Sequence, residues 1–231
     1  MFILGEPKRQ QFMNPVIERL GLRFADGIIV SPSEVNLDDL VAANIKEGAA
    51  KVSENYIRYF RSGYSIMTPS ACAVEVIDST KGFEITEVLA SAGKGSWVEK
   101  ETTDFINEKS VLNPAVGEVE KSNSIMLYLT RPVNNKEQRI FVIGDADCIS
   151  TLELSQNRPG FRSSNFTLIT ETFRNLSYGE FPVEASRVNP PDDRVLVTRN
   201  VIFGIRVVLM WIIPLLFVTG CITLLIRRKR R

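Results

Sequence analysis

The chain has 231 residues, of which 44% are hydrophobic and 24% charged, values typical of a globular protein with one or two compact units. Its formal net charge is +1, so the composition gives no indication of nucleic-acid binding. It contains no histidine, which excludes Ser-His-Asp and Cys-His catalysis and HExxH metal sites. The three cysteines lack metal-binding spacing, and Cys72 and Cys148 are either an extracytoplasmic disulfide or two free buried thiols.

The N-terminal part of the sequence predicts short strands and helices. Residues 2–4 (FIL) are typical of a buried strand, residues 8–20 of a weak amphipathic helix interrupted by Pro15, and residues 27–30 (GIIV) of a further strand. Apolar residues between 36 and 60 recur every three or four positions, which predicts a long helix with Asn36 as its N-cap.

The next part of the sequence predicts mainly strands. The apolar runs 124–129 (SIMLYL) and 139–144 (RIFVIG) flank Asn134-Asn135, a pattern that indicates a β-hairpin. Residues 166–176 predict a helix capped by Ser164 or Asn165. The other segments are interpreted as a strand at 71–77, a strand or short helix at 82–90 and a polar loop at 91–121 anchored by Trp97. This alternation predicts an α/β sheet with at least one antiparallel hairpin.

A C-terminal segment has the length and composition of a membrane-spanning helix. Residues 207–226 carry no charge, and a helix of ~20 residues spans the ~30 Å of a hydrocarbon core. The basic cluster Arg227, Arg228, Lys229, Arg230 and Arg231 follows at once. Because lysine and arginine beside a span stay on the cytoplasmic side, the cluster places the C-terminus inside and the residues before the span outside. Its role is topology anchoring or direct lipid binding.

These observations predict an ordered domain organisation. Residues 1–182 form an extracytoplasmic α/β domain, 183–205 a linker with a Pro190-Pro191-Asp192-Asp193 turn, 206–226 the membrane helix and 227–231 the cytoplasmic tail. The first residues, MFILG, lack the features of a signal peptide, and a buried strand is an unusual start for a domain. We therefore expect the domain to be incomplete at its N-terminus and the chain to be the tail of a longer polypeptide.

The strongest candidate for chemistry is the string Gly144-Asp145-Ala146-Asp147, directly after a predicted buried strand. Carboxylates at the C-terminal end of a strand occupy the usual position of ligand sites in open α/β sheets, so Asp145 and Asp147 are the candidate ligand-binding residues. A magnesium or phosphoryl-transfer centre is one interpretation, and an Asx-type turn with a helix cap is the other. The segment 93–96 (GKGS) resembles a phosphate loop only superficially because it lacks the GxxxxGK[ST] frame. The sequence assigns no catalytic residue, metal or cofactor.

Several segments together resemble the C-terminal half of the GldG-type auxiliary component of ABC-2 transport systems, a family known from bacterial gliding motility. The segments that carry the resemblance are FILGEP at 2–7, residues 14–22 with GIIV at 27–30, SAGKGSWVE at 91–99, RIFVIGDADCIS at 139–150, the helix at 165–176 and PLLFVTG at 214–220. In this sequence Cys148 and Thr151 stand where the family has an aromatic residue and an asparagine.

The resemblance implies an extracytoplasmic domain with a partial flavodoxin-like, glutamine-amidotransferase-like sheet that lacks a catalytic cysteine. It also implies a permease and a cytoplasmic ATPase as partners in the bacterial inner membrane. The first functional hypothesis is therefore a non-enzymatic transport component whose outer domain binds a substrate or partner proteins and whose helix lies in the lipid against the permease. The alternatives are a membrane-tethered hydrolase with its site at Asp145 and Asp147, and an adhesin or receptor with a single span.

Overall fold

The computed structural model describes residues 1–158, 160–181 and 199–230, and contacts within the chain divide it into two units, Met1–Val183 and Glu184–Arg231. The predicted Pro190-Pro191-Asp192-Asp193 turn and residues 183–198 of the predicted linker lie outside the described residues.

The first unit combines strands and α-helices. Its described strands are β1 (Phe2–Leu4), β2 (Leu22–Phe24), β3 (Ile28–Val30), β4 (Leu40–Ile45), β5 (Ile66–Pro69), β6 (Val74–Val76), β7 (Glu84–Ala90), β8 (Trp97–Glu99), β9 (Ser124–Val133) and β10 (Lys136–Ile143). Its described α-helices are α1 (Gln10–Ile17), α2 (Glu54–Arg61), α3 (Thr151–Ser155) and α4 (Asn165–Leu176).

Six of these strands form a sheet in the order β1-β10-β9-β7-β4-β5. Strands β1 and β10 run parallel, and the other neighbours in this sheet are antiparallel. Two ribbons, β2–β6 and β3–β8, lie outside the sheet. The predicted mixed α/β class is confirmed. A flavodoxin-like sheet is built from parallel strands, so that finer part of the expectation is not confirmed and stays a prediction.

The core lies on both faces of the sheet, as the alternation along β10 shows. Ile140 and Val142 pack into a cluster with residues of α1 and β2, whereas Phe141 and Ile143 pack into a second cluster with Tyr56 of α2 and residues of α4. Successive strand residues point to opposite faces, so a continuous apolar run is what a strand covered on both sides requires.

The predicted hairpin and the predicted helix before residue 177 are both confirmed. Strands β9 and β10 pair from Val133 with Lys136, and Asn134 adopts a positive φ of 55°, which tight hairpin turns need and asparagine tolerates. Helix α4 begins at Asn165, with Ser164 at the N-cap position, although the Ser164 side chain makes no capping hydrogen bond.

The predicted long helix between residues 36 and 60 is wrong in its first half. Residues 40–45 form β4, and helix α2 begins only at Glu54, where the Ser53 side chain accepts a hydrogen bond from the Asn55 N–H. In β4 the buried residues alternate with half-buried ones, and the strand pairs with β5 and β7 on either side. Apolar residues at 37, 40, 41 and 45 fit either period, and pairing with two distant strands decides in favour of the strand.

Smaller differences follow from local chemistry. Helix α1 continues through Pro15 instead of being interrupted there. Its Asn14 side chain bonds the Phe24 backbone, accepting from the N–H at 2.9 Å and donating to the C=O at 3.1 Å, which ties the helix to β2. The segment 82–90 is a strand, and the strand expected at 71–77 is confined to Val74–Val76.

The described part of the second unit is one continuous helix. It comprises α5 (Arg199–Val207), a π-helical turn at Val208–Ile212 and α6 (Ile213–Lys229). Pro214 follows the π-helical turn, and a proline, which cannot donate the usual backbone hydrogen bond, is a common cause of such irregularity. The stretch Val201–Lys229 has 29 residues and contains an 18-residue window with a mean hydropathy of 2.6, so the chain has a helix long and apolar enough to span a membrane. This confirms the candidate membrane helix and extends it beyond both predicted ends.

Candidate functional site

The Gly144–Asp147 string lies at the C-terminal end of β10, as expected, and the structure adds Glu6 at the end of β1. Because β1 and β10 are parallel, both strands end at the same edge of the sheet. The Gly5 N–H donates to the Ile143 C=O at 2.7 Å, which carries the pairing up to Glu6. Glu6 is not among the predicted site residues, although its position shortly after a predicted strand is a signal that could have identified it. We name this edge, with Glu6, Asp145 and Asp147, the strand-end site.

Gly144 allows the chain at this edge to approach a neighbouring segment closely. The Cys72 N–H donates to the Gly144 C=O at 2.8 Å, and a Cβ atom at residue 144 would lie 1.8 Å from the Cys72 carbonyl oxygen. Any side chain at 144 would therefore displace the backbone around Cys72 and open the turn.

Asp145 is fully buried and organises the turn. Its Oδ1 accepts hydrogen bonds from the N–H groups of Asp147, at 2.7 Å, and Cys148, at 3.2 Å, whereas its Oδ2 has no partner among the described residues. Burial raises the pKa of the Asp145 carboxyl to about 8. The charges of Asp147 and Glu6 also raise this pKa, whereas the two hydrogen bonds lower it. Asp145 is therefore largely protonated at neutral pH and acts as the cap of the turn.

Three acidic side chains meet at the strand-end site without forming a metal centre. Asp147 is exposed, and burial together with the Asp147 charge raises the pKa of Glu6. Within the described ranges, no group of at least three histidine, cysteine, aspartate or glutamate side chains is arranged to hold a metal ion. The magnesium interpretation of Asp145 and Asp147 gains no support from this geometry.

The two cysteines of the first unit are buried, free thiols beside the same turn. The Cys72 thiol donates to the Gly144 C=O at 3.2 Å and the Cys148 thiol to the Asp145 C=O at 3.3 Å. Burial raises the pKa of Cys72 to about 12 and raises the pKa of Cys148 as well. Because the thiolate is the reactive form, neither group is prepared for nucleophilic chemistry.

Asn165 connects the strand-end site to the sheet and to α4. Its Nδ2 donates to the carbonyl oxygens of Met67 and Cys148, each at 2.7 Å, and its Oδ1 accepts from the Met67 N–H at 2.9 Å. The side chain is 2% exposed, so these bonds are made in the interior. Asn165 thus bridges β5, the turn after β10 and the start of α4, a role beyond the cap expected from the sequence.

In the GKGS segment, a backbone N–H group that a phosphate would need already donates to a side chain of the protein. The Gly95 N–H donates to a carboxylate oxygen of Glu120, and the Ser96 side chain is buried. An acidic side chain on the backbone donor is unfavourable for a phosphate at the same position. Trp97 is buried, which confirms its predicted role as an anchor, but residues 97–99 form strand β8 where the sequence predicts a loop.

Buried carboxylates hold the polar segment that follows β8. Asp38, Glu99 and Glu118 are 0%, 2% and 2% exposed, and each accepts at least one backbone N–H from residues 100–118. Asp38 also pairs with Lys109 at 3.0 Å. We call residues 100–121 the pinned loop. The sequence predicts this segment as a loop but does not identify the three carboxylates, because each of them accepts from backbone N–H groups that no residue spacing reveals.

The pinned loop presents apolar side chains to solvent. Ile106, Val111 and Val119 are 79%, 74% and 59% exposed. A long irregular segment that is fixed by buried polar groups and displays apolar residues is typical of binding loops on a rigid scaffold.

Comparisons with known proteins leave the chain without an assigned family. No family model, no curated protein and no solved structure matches it. The structure therefore defines the class only as a mixed α/β unit with a candidate membrane-spanning helix.

Proposed function

We propose that the chain is a non-enzymatic, membrane-anchored auxiliary component of an ABC-2 type transport system, with an outer domain that binds a substrate or partner proteins. The observation that carries the proposal is the joining of an α/β unit to an apolar helix, Val201–Lys229, that ends in a basic cluster. The basic cluster favours an orientation with the α/β unit outside the cytoplasmic membrane of a bacterium.

The strand-end site supports a binding role over a catalytic one. Asp145 is fully buried, and its Oδ1 is committed to the backbone of its own turn. A group that acts on a substrate must reach it, and a buried cap of this kind does not. The pinned loop offers a better contact surface for a partner, because its exposed apolar residues are held in place before binding. In this proposal ATP is hydrolysed by a separate subunit.

The proposal also includes a fold assignment, which rests on the parallel pairing of β1 with β10. We assign this pair and the strand-end turn to a flavodoxin-like, glutamine-amidotransferase-like sheet. The GldG-type resemblance supports this assignment, and a link to gliding motility is part of the same proposal.

Co-purification with a swapped helix tests the transport proposal. In gentle detergent, the full chain should recover a permease with several spans and a cytoplasmic ATPase. Replacing residues 207–226 by an unrelated apolar span that keeps the basic cluster should lose both partners if the helix packs against the permease. Recovery of neither partner by the unaltered chain would contradict the proposal and favour an adhesin or receptor.

A hydrolase with its site at Asp145 and Asp147 is the second candidate. The observation in its favour is that burial raises the pKa of the Asp145 carboxyl to about 8 at the end of a strand, since strongly shifted carboxyl groups are frequent in active sites. The double variant Asp145→Asn, Asp147→Asn tests it. If the double variant transports as well as the unaltered chain, per amount of folded protein, the hydrolase is excluded. If a variant that folds and still co-purifies with its partners loses transport completely, the hydrolase is supported.

A further inference from the structure

The six-stranded sheet has two edge strands, and the outer edge of β5 is blocked by the protein itself. The Asn165 side chain bonds both the N–H and the C=O of Met67. Two residues earlier, the Ser65 N–H donates to the Arg162 C=O at 3.0 Å. Two residues later, β5 ends in Pro69, which has no N–H to offer. Each outward-facing position of this strand is therefore closed to a further strand, as is usual for sheet edges in soluble units.

β1, at the opposite edge, leaves its outer backbone groups open. The Met1 C=O accepts a hydrogen bond from β10 at 2.9 Å, and the Gly5 N–H donates one to β10 at 2.7 Å. Because backbone groups alternate in direction along a strand, the N–H and C=O groups of Phe2 and Leu4 face away from β10. No described strand pairs with them, and β1 carries neither a proline nor a charge. We name these outward groups of Phe2 and Leu4 the free edge.

Exposed phenylalanines of α4 border the free edge on one face of the sheet. Phe173 packs edge-on against Phe2, with ring centroids 6.4 Å apart, and is 40% exposed. Phe166 lies about two turns earlier on the same side of α4 and is 71% exposed. The first residue of α4 bonds the turn after β10, whereas Asn175 near its end accepts from Arg139, which lies earlier in β10. The helix therefore runs antiparallel to β1, and its two phenylalanines follow the length of the free edge.

Exposed apolar residues of α1 border the free edge on the other face. α1 packs on the face to which Ile3 points, and its Asn14 side chain bonds β2. Phe12 and Val16 lie roughly 200° around the helix axis from Asn14, and they are 64% and 51% exposed. The β2–β6 ribbon contacts β9, further inside the sheet, so the side of α1 that faces away from the ribbon is the side of the free edge.

These surroundings define the strand that fits the free edge, since it must present apolar residues to both faces. β1 has this composition itself, with Phe2 and Leu4 on the face of α4 and Ile3 on the face of α1. A two-fold axis at Ile3 pairs β1 with its copy in antiparallel orientation. Phe2 of each copy then exchanges both backbone hydrogen bonds with Leu4 of the other. We propose that the free edge joins two copies of this chain through antiparallel pairing of β1, which makes one continuous sheet.

The same axis brings each bordering helix against its own copy. The side of α4 with Phe166 and Phe173 meets its equivalent on one face, and the side of α1 with Phe12 and Val16 does so on the other. These side chains and the strand edge offer on the order of 500 Å² per copy, against about 800 Å² in a standard interface. The contact is therefore a weak one, and anchoring of both copies in one membrane raises the effective concentration that it needs.

Disulfide crosslinking of the full chain in membranes tests this register. With the axis at Ile3, the two Cα atoms at this position lie about 4.5 Å apart, within the range of a disulfide. Cys221→Ser first removes the exposed native thiol. In that background Ile3→Cys should form a homodimer under mild oxidation, whereas the exposed Ile106→Cys on the pinned loop should not. The dimer requires neither a permease nor an ATPase, so its outcome is independent of the transport role.

Two further substitutions separate strand pairing from chance collision. Leu4→Pro removes an outward N–H and keeps the bonds to β10, and edge strands tolerate proline at such positions. Combined with Ile3→Cys, it should lower the crosslinked fraction about tenfold or more, since it removes one hydrogen bond from each copy and adds a bulky ring. Phe166→Lys should lower the fraction as well, whereas Val35→Lys, at a position that is 83% exposed, should leave it unchanged.

Three results would overturn the proposal. They are a folded Ile3→Cys chain that forms no homodimer or crosslinks only to another protein, crosslinking of Ile106→Cys to the same extent, and crosslinking that neither Leu4→Pro nor Phe166→Lys diminishes. If Leu4→Pro does not fold, the comparison of Phe166→Lys with Val35→Lys decides. If Ile3→Cys does not fold, energy transfer between two differently labelled copies of the chain gives the same comparison.

Discussion

At the residue scale, Asp145 shows how burial turns an acidic side chain into a neutral cap. Its pKa of about 8 lies far above the value of about 3.9 in an unfolded chain, so the folded protein binds an extra proton between these limits. Stability from this proton is fully present below pH ~4 and is lost as the pH rises through about 8.

Asp145→Asn should therefore flatten the pH dependence of stability. Asparagine keeps an acceptor for the Asp147 and Cys148 N–H groups and carries no proton to lose. Thermal unfolding of the full chain in detergent at pH 5 and pH 8 measures the effect, with the exposed Glu34→Gln as a control that keeps the original slope. A residual slope is expected because burial also raises the pKa of Glu6. An unchanged slope in Asp145→Asn would contradict the account.

Asn165 is the second residue whose loss should be costly. Asn165→Ala leaves Met67 N–H, Met67 C=O and Cys148 C=O without a partner in the interior, at about 3 kcal/mol or more of unfolding free energy. Urea denaturation measures this change, and Asn107→Ala, at an exposed position in the pinned loop, should cost far less. Equal losses in the two variants would show that the interior bonds of Asn165 contribute little.

At this scale, the sequence predicts site residues that directly follow a recognisable strand, but it does not predict the residues from distant parts of the chain that lie beside them. Asp145 and Asp147 were found because a buried apolar run precedes them. Glu6 lies at the same edge of the sheet but follows another strand, and its place beside Asp145 and Asp147 depends on the parallel pairing of β1 with β10. Glu118 accepts from the Lys100 N–H only because the loop between them turns back.

At the element scale, the turn after β10 depends on a glycine. Gly144→Ala places a Cβ atom 1.8 Å from the Cys72 carbonyl oxygen, which forces the two segments apart. We expect a loss of about 3 kcal/mol or more, or failure to fold. Gly93→Ala is the matched control, because a Cβ atom there meets nothing within 4 Å. Chemical denaturation of both variants gives the comparison, and a stable Gly144→Ala protein would show that the turn relaxes readily.

The elements that local patterns specify were predicted well, and those that depend on distant pairing were not. The β9–β10 hairpin is fixed by two apolar runs and a two-residue turn, and α4 by its own periodicity. In β4, by contrast, the buried Val41, Ala43 and Ile45 alternate along the strand, but the neighbouring apolar residues also fit a helix. Pairing with β5 and β7 resolved this ambiguity, and that information lies elsewhere in the chain.

At the scale of the whole molecule, the α/β class and the membrane helix could be predicted because both follow from composition and pattern. The order of the strands in the sheet could not be predicted, because it depends on which strands pair with each other across long sequence separations. Residues 207–226 contain enough consecutive apolar positions to cross a membrane, and in the structure the helix extends from Arg199 to Lys229.

The orientation of the chain in the membrane is the central claim, and cysteine labelling tests it most directly. Cys72 and Cys148 are buried and Cys221 lies in the apolar helix, so the background should be low. In intact cells, a membrane-impermeant maleimide should label Ile106→Cys in the exposed part of the pinned loop but not Arg230→Cys, which should react only after permeabilisation. Labelling of Arg230→Cys in intact cells, with Ile106→Cys protected, would contradict the account.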